Sequence, residues 1–149
     1  TGKQWDTIMK WYENSGIGVT GSAKTVNGNN VPAQNWGTYY DLSYSITGNY
    51  FTYSSSAGAW TSGTTSHTAS TAPQLYHGAG LNNDGYKKNI ADLGGNFWEW
   101  TAETYSSSRV YRGGNANNSV ANYPAGYRNS NSTTYTYYYS GFRCVLYIQ

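Results

Sequence analysis

The sequence predicts an α+β domain with little regular secondary structure, and three observations lead to this fold class. One helical pattern stands at the start of the chain, three short segments rich in aromatic and β-branched residues stand in its second half, and the stretches between them are rich in Gly, Ser, Thr and Asn. The chain has 149 residues, the usual size of one domain. We therefore expect a single domain over residues 1–149, with one N-terminal helix and a small antiparallel sheet.

The helix is predicted over residues 2–14. Thr1 and Gln4 have the T-x-x-Q spacing of a capping box, in which each side chain bonds to the backbone amide of the other residue. The residues that follow at i, i+3, i+4 and i+7 form one apolar stripe of Trp5, Ile8, Met9 and Tyr12. Asn14-Ser15-Gly16 is typical of a helix C-terminus. We expect the stripe to face the core.

Residues 16–85 are predicted as long ordered loops with a few short strands. The aromatic residues of this stretch can supply the burial that disordered segments lack; they are Trp36, Tyr44, Tyr50, Phe51 and Trp60. Residues 54–72 (SSSAGAWTSGTTSHTASTA) are the least constrained piece, and we predict a flexible loop there.

The three strand-like segments are residues 97–101, 109–112 and 142–148. Trp98 and Trp100 fall in the first of them, and we expect one ring to face the core and the other to face a second layer or a ligand surface. Glu99, Arg112 and Arg143 lie within apolar surroundings, and we expect them to form a structural charge network because a buried charge needs a partner.

Composition and charge exclude several classes of function. Charged residues make up 11% of the chain, aromatic residues 17%, and the formal net charge is +2. This field is too weak to recruit nucleic acid or an anionic membrane surface. Since no apolar run reaches the roughly 18 residues of a membrane span, we expect no direct membrane insertion. Cys144 stands alone, which excludes a disulfide within these residues and a cysteine-based zinc cluster.

Three motifs occur in order along the second half of the chain: NIADLGGNFWEWT at 89–101, RVYRGG at 109–114 and GFRC at 141–144. Together they resemble the formylglycine-generating enzyme (FGE-sulfatase) family, whose pattern is N-x-x-D-x-x-G-N-x-W-E-W, then R-V-x-R-G-G, then G-F-R. The Thr1 to Trp5 start is similar to that family's T-E-A-E-W helix start. The resemblance implies a C-type-lectin-like fold. It also implies a strand and a helix ahead of the first helix, so the sequence is either a trimmed piece or an abbreviated version of that fold.

The resemblance does not extend to the family's catalytic residues. The enzymes use two cysteines after the RGG motif to bind copper and activate oxygen, and residues 115–139 contain no cysteine. Cys144 lies in the GFRC position, where the resemblance implies a structural residue, and we expect a buried, unpaired thiol. We therefore expect no enzymatic activity and no cofactor.

The C-terminal segment, residues 113–141, has the composition of a binding surface. Asn, Tyr, Ser and Thr account for 19 of its 29 residues, and Arg128 is its one charged residue. Tyr offers a large, stiff contact area, and Asn, Ser and Thr offer adaptable hydrogen bonds, as in antibody loops. The segment is similar to the hypervariable region of the variable proteins of diversity-generating retroelements, which lies between RGG and GFR.

We expect eleven solvent-facing ligand-binding residues in this segment: Asn115, Asn117, Asn118, Asn122, Tyr123, Asn129, Asn131, Thr133, Tyr135, Tyr137 and Tyr139. If residues 134–139 form a strand, the odd-numbered tyrosines share one face, and Thr134, Thr136 and Tyr138 share the other. The alternative is that several of these tyrosines pack within a small aromatic core.

Other candidate site residues have simpler interpretations. His67 and His77 have no acidic residue at metal-ligand or triad spacing, and we expect both in surface loops. Asn82-Asn83-Asp84-Gly85 lacks the later glutamate of a calcium loop and is predicted as a turn. Because the matching region of the formylglycine-generating enzymes contributes calcium ligands, Asn96 and Glu99 are weak candidates for a structural calcium site, and no firm metal site is predicted.

The sequence therefore predicts a non-catalytic domain that recognises a protein or glycan ligand on a target cell. The resemblance implies an extracellular location, on a bacterial surface or a phage virion, where oligomers would add avidity. Two alternatives remain: a structural or assembly domain of a phage tail or surface appendage, and a formylglycine-generating oxidase.

Overall fold

The structure is a computed structural model that describes residues 1–19, 34–54, 56–63, 67–69 and 75–144, with only the backbone described for 67–69. Among these residues it has one α-helix and several small, mostly antiparallel sheets, which makes it an α+β fold. The elements are α1 (Gly2–Asn14), β1 (Tyr44–Ile46), β2 (Tyr50–Ser54), β3 (Ala59–Gly63), β4 (His67–Ala69), β5 (Tyr76–His77), β6 (Tyr86–Lys87), β7 (Ile90–Ala91), β8 (Trp98–Tyr105), β9 (Ser108–Arg112), β10 (Arg128–Asn131) and β11 (Ser140–Phe142). No helix in the described part of the chain is long and apolar enough to cross a membrane.

The N-terminal helix confirms the prediction from its capping box and apolar stripe. Thr1 and Gln4 form both bonds of the box. Trp5, Met9 and Tyr12 are buried in the main core, and Ile8 packs against it. Two long-range hydrogen bonds then fix the helix, because the Trp5 indole donates to the Ala125 carbonyl at 2.8 Å and the Tyr12 hydroxyl donates to the Lys87 carbonyl at 2.7 Å.

The main sheet has the strand order β10-β9-β8-β11. It contains the first two predicted strand segments, as β8 and β9, although β8 extends to Tyr105. The third prediction, residues 142–148, shares only Phe142 with β11, and residues 143 and 144 are not in a strand. Residues 145–148 of that prediction lie outside the described residues. β11 pairs in parallel with β8, whereas the other pairs of this sheet are antiparallel.

Part of the stretch predicted as a flexible loop, 54–72, is instead paired in sheets. β3 pairs antiparallel with β2, and β4 pairs antiparallel with β1. The pairs between β2 and β3 include Tyr53 opposite Trp60, whose rings are 5.2 Å apart. The prediction missed these strands because small and polar residues make up most of them, and their pairing comes from cross-strand contacts rather than from apolar content.

The NIADLGGNFWEWT and RVYRGG motifs contact each other through their backbones, and this close approach requires glycine. The Gly95 amide donates to the Gly113 carbonyl at 2.7 Å. A Cβ atom on Gly95 would lie 2.0 Å from the Thr38 carbonyl oxygen, and one on Gly114 would lie 2.4 Å from the Tyr123 carbonyl oxygen. Both glycines also have a positive φ. These contacts attach the start of the C-terminal segment to the core.

Candidate functional site

The C-terminal segment alternates between buried anchors and accessible loops. Residues 113–116 and 124–126 are buried, whereas 117–123 and 127–141 are half-buried or exposed. The first accessible loop is held by Asp41, whose carboxylate oxygens accept from the Val120 amide at 3.0 and 3.2 Å. The second accessible part contains β10 and residues 132–139, which connect β10 to β11.

One of the eleven predicted contact residues is buried, and the prediction that it faces solvent is wrong. Asn115 is 1% exposed, and its side-chain oxygen accepts from the Asn117 amide at 3.0 Å. Its own amide donates to the Asn118 side-chain oxygen at 3.0 Å. Asn115 is therefore a buried residue that stabilises the turn of residues 115–118 through hydrogen bonds.

The other ten predicted residues are accessible to different degrees. Asn122, Thr133 and Tyr137 are exposed, and the half-buried ones are Asn117, Asn118, Tyr123, Asn129, Asn131, Tyr135 and Tyr139. Asn129 and Asn131 each accept, through the side-chain oxygen, from the amide of the next residue at 2.9 Å. The ligand-binding role of all these residues stays a prediction.

The tyrosines between β10 and β11 do not alternate as a strand would place them. Residues 132–139 form no strand, and the rings of Tyr135, Tyr137, Tyr138 and Tyr139 contact one another directly. Tyr135 and Tyr137 are stacked, with centroids 5.4 Å apart and planes 16° apart. Ring stacking, rather than strand alternation, therefore decides where these side chains lie.

These tyrosines are part of a longer chain of contacting rings that the sequence did not reveal. Tyr138 stacks on Tyr53 of β2 at 3.6 Å and meets Trp60 of β3 at 6.0 Å. At the other end, Tyr135 meets Trp100 of β8 at 6.5 Å. We call this set the aromatic row; its members are Tyr53, Trp60, Trp100, Tyr135, Tyr137, Tyr138 and Tyr139. Strand pairing and loop folding bring together residues far apart in sequence, and no local spacing signals that proximity.

Two phenol groups of the aromatic row, those of Tyr138 and Tyr139, have raised pKa values. Burial raises the pKa of Tyr139, and the hydrogen bond with Tyr137 raises it further. Burial, together with Tyr137 and Tyr53, also raises the pKa of Tyr138. Their hydroxyls therefore remain neutral hydrogen-bond donors and acceptors across the physiological pH range.

Trp98 and Trp100 lie on one face of β8, so they do not alternate across the strand, although Trp98 is buried and Trp100 is half-buried beside Tyr135. Residues two apart in a strand share a face. Both rings pack edge-on against Tyr111, at 4.9 and 5.0 Å. Trp98 is buried and also contacts Tyr123, which places Tyr123 between the core and the surface.

Glu99, Arg112 and Arg143 all form ion pairs, as expected of structural charges, but these pairs fall into two separate sets. Arg112 is buried and donates to Asp6 at 2.7 Å and to Glu103 at 3.4 Å. The Arg143 guanidinium pairs with Glu99, with Nε to Oε2 at 2.9 Å. These ion pairs tie α1 to the main sheet and β11 to β8.

His77 is buried, so its predicted surface position is wrong. Its Nε2 lies 2.9 Å from the Thr38 hydroxyl, and its Nδ1 lies 2.8 Å from the Gly78 carbonyl, which requires the proton on Nδ1. Asp92 Oδ1 is 3.8 Å from Nε2. No spacing in the sequence indicates this cluster, because its members come from three separate segments. The side chain of His67, in β4, lies outside the described residues.

The remaining candidates have structural roles. Asn83–Gly85 forms a short 3-10 turn capped by Asn82, which confirms the predicted turn. Asn96 Oδ1 and the Glu99 carboxylate, the weak calcium candidates, already accept hydrogen bonds from His77 and Arg143. The described residues contain no cluster of three or more His, Cys, Asp or Glu side chains suited to a metal ion. Cys144, two residues beyond the edge strand β11, is exposed, so its predicted burial is wrong.

Comparison with known proteins gives one match. A family model described as the Sulfatase-modifying factor enzyme 1-like domain (FGE-sulfatase) matches residues 28–148. No curated protein and no solved structure matches the chain.

Proposed function

The chain belongs to the family of Sulfatase-modifying factor enzyme 1-like domains. We propose that it is a non-catalytic ligand-binding domain with a C-type-lectin-like fold. The proposed ligand is a protein or a glycan on a target cell, held by the aromatic row and the surrounding polar side chains. The proposed location is a bacterial surface or a phage virion, which rests on the resemblance to variable proteins of diversity-generating retroelements.

The observation that carries the proposal is the aromatic row. Tyr137 is 41% exposed although it contacts three other tyrosines. Rings that hold one another in place lose little conformational entropy when a ligand covers them, and this preorganisation favours affinity. Exposed, rigid tyrosines with Asn, Ser and Thr around them are typical of recognition surfaces.

Two features of the sequence support binding rather than catalysis. Formylglycine-generating enzymes use a cysteine pair after the RGG motif, and residues 115–139 have none. Cys144 is the chain's one cysteine and lies after the GFR motif, so the chain has no second cysteine to form such a pair. Turnover of a cysteine-containing peptide by the purified chain would contradict this part of the proposal.

The variable-protein part is tested at the level of the gene. The last third of the gene is sequenced across a population of its source, and the neighbouring DNA is searched for a near-copy of the stretch encoding residues 113–143. We expect substitutions concentrated at the Asn, Tyr, Ser and Thr codons and traceable to adenines in that copy. A constant stretch with no copy would contradict diversification and leave a surface made for one fixed ligand.

A second candidate function, an assembly domain of a tail or surface appendage, is favoured by a different observation. Phe142 and Tyr105 are 77% and 63% exposed, and both belong to the main sheet. Large exposed apolar side chains of this kind mark protein contacts. If this role holds, Phe142→Ser reduces the mass of an oligomer measured by light scattering and leaves ligand binding unchanged.

A further inference from the structure

A cleft of about 320 Å³ opens beside the aromatic row, lined by Trp100, Thr101, Arg109, Thr133 and Tyr135. We propose that this cleft, the Arg109 cleft, binds one acidic sugar residue of a glycan, with the ring against the aromatic walls and the carboxylate on Arg109. The inference rests on the proposed binding function and names the ligand class for this part of the surface.

The volume of the Arg109 cleft sets the size of its occupant. Small-molecule sites span roughly 300–1,000 Å³, so about 320 Å³ lies at the lower end. One six-membered ring with its substituents fits such a space, whereas a long peptide or an extended nucleotide does not. The occupant is therefore a single ring, presented by a longer ligand that continues along the aromatic row.

The walls of the cleft are two aromatic rings held from behind. Trp100 and Tyr135 are 6.5 Å apart with their planes at 70°, which leaves flat ring surfaces at an angle to each other. Tyr111 contacts Trp100 at 5.0 Å, and Tyr137 stacks on Tyr135 at 5.4 Å, so neither wall is free to collapse into the cleft. Flat, rigid apolar walls suit the C–H face of a sugar ring, because burying that face removes apolar area from water.

Arg109 supplies the charge. It is exposed, and its Nη1 donates to the Ala102 carbonyl at 3.3 Å, which leaves most of its five N–H donors for a ligand. Arg112, Arg128 and Arg143 each have a carboxylate partner, but no described residue forms such an ion pair with Arg109. A guanidinium matches a carboxylate in bidentate geometry.

The combination of two aromatic walls with the Arg109 charge favours an acidic sugar over an acidic peptide. An Asp or Glu side chain could pair with Arg109 but has only one or two methylene groups, so it would leave the Trp100 and Tyr135 rings in water. A neutral sugar would cover the rings but leave Arg109 without its anion. The exposed Thr133 hydroxyl at the rim can bond to ring hydroxyls.

The test is a titration of the isotope-labelled chain followed by NMR. The probes are methyl glucuronide, its neutral counterpart methyl glucoside, and N-acetylglutamate amide as a peptide carboxylate. Arg109→Gln removes the cleft charge, and Lys10→Gln removes one exposed positive charge from α1 as the matched control. The readouts are the dissociation constants and the shifts of the Trp100 indole resonance.

We expect methyl glucuronide to shift the Trp100 indole resonance and to bind about 10-fold more tightly than methyl glucoside, the scale of one charge-assisted hydrogen bond. It should also bind more tightly than the glutamate amide, which leaves the aromatic walls in water. Arg109→Gln should remove the preference over methyl glucoside, and Lys10→Gln should keep it. Equal binding of the glucoside, equal binding of the glutamate amide, full binding by Arg109→Gln, or no binding of the glucuronide would each overturn the inference.

Failure here is distinguishable from failure of the proposed function. If the cleft shows no preference for the acidic sugar while a larger ligand still needs Tyr137, the binding domain stands and only its acidic-sugar site is wrong. If no larger ligand depends on Tyr137, the proposal that the aromatic row is the recognition surface is wrong, and the glucuronide titration still decides the Arg109 cleft by itself.

Discussion

Arg112 shows how a single buried charge organises this molecule. Its side chain is 2% exposed, and it donates to Asp6 from α1, to Glu103 from β8 and to the Gly126 carbonyl. A buried guanidinium without these partners would carry a large desolvation cost. The residue therefore joins the helix, the main sheet and the second buried anchor of the C-terminal segment.

Arg112→Met is expected to lower the free energy of unfolding by about 2–4 kcal/mol, because it leaves buried acceptors without their charged donor. The matched control is Arg109→Met, which changes an exposed arginine in the same strand and should cost no more than about 0.5 kcal/mol. Urea denaturation of both variants measures the difference. Equal effects would contradict the structural role of Arg112.

Asp92 makes stability depend on pH. Burial raises the pKa of its carboxyl above the ordinary value, against the opposing effects of His77, the Gly80 amide and Arg143. Between the unfolded-state pKa of about 3.9 and the higher native pKa, the native state holds more protons than the unfolded state. The free energy of unfolding therefore falls as the pH rises through that window.

Asp92→Asn removes this titration and should gain stability relative to the wild type as the pH rises from acid to neutral. Asn also tolerates the left-handed backbone at this position, where φ is 52°. Urea denaturation at several pH values measures this gain in stability, and Asp84→Asn, at an exposed position, serves as the control. Parallel stability profiles for Asp92→Asn and the wild type would contradict the account.

At the scale of elements, the Asn96 side chain forms the two backbone hydrogen bonds with β5 that a neighbouring strand would otherwise form. Asn96 Oδ1 accepts from the His77 amide at 3.1 Å, and Asn96 Nδ2 donates to the His77 carbonyl at 3.0 Å. The side chain thereby satisfies both backbone groups of a buried β5 residue. Asn96 has a left-handed backbone conformation, with φ of 59°, and this conformation directs its side chain towards His77 of β5.

Asn96→Ala is expected to cost about 2–4 kcal/mol of stability, because two buried backbone groups lose their partners and alanine is strained at positive φ. Thermal unfolding measures the loss, and Asn83→Ala, at an exposed position, serves as the control. If Asn96→Ala melts at the wild-type temperature, this side chain is not the partner of β5.

The sequence predicted elements well where local signals decide them. The capping box and apolar stripe located α1, and β-branched and aromatic content located β8 and β9. Prediction from the sequence failed where contacts between distant residues determine the local structure. Pairing with β2 makes β3 a strand despite its polar residues, and ring stacking prevents alternation in 132–139. The burial of His77 depends on Thr38 and Asn96, which no spacing rule connects to it.

At the scale of the whole molecule, the buried core that holds the C-terminal segment is separate from the aromatic row, which we propose as the binding surface. The core cluster around Trp5, Trp36 and Leu93 and the glycine contacts of RGG hold the C-terminal segment at its buried anchors. The aromatic row is then assembled from β2, β3, β8 and the loop before β11. Composition predicted that residues 113–141 carry a surface of tyrosines, but not that Tyr53, Trp60 and Trp100 extend it.

Binding through the aromatic row should depend little on salt for neutral ligands. Arg128 is the one charge of residues 113–141 and pairs with Glu103. Stacking and neutral hydrogen bonds are not screened by ions. Affinity for a neutral ligand is therefore expected to change less than about 2-fold between 50 mM and 500 mM salt, whereas a ligand held by Arg109 should weaken. A steep loss for neutral ligands would contradict an uncharged contact surface.

The most direct test of the central claim measures binding of the chain to an array of bacterial surface proteins and polysaccharides, with Tyr137→Ala and Tyr86→Ala. Tyr86 is an exposed tyrosine of β6 outside the aromatic row. We predict ligands whose binding falls at least about 10-fold in Tyr137→Ala and persists in Tyr86→Ala, with melting temperatures within a few degrees of the wild type. Undiminished binding by Tyr137→Ala, or equal losses in both variants, would contradict the claim that the aromatic row is the recognition surface.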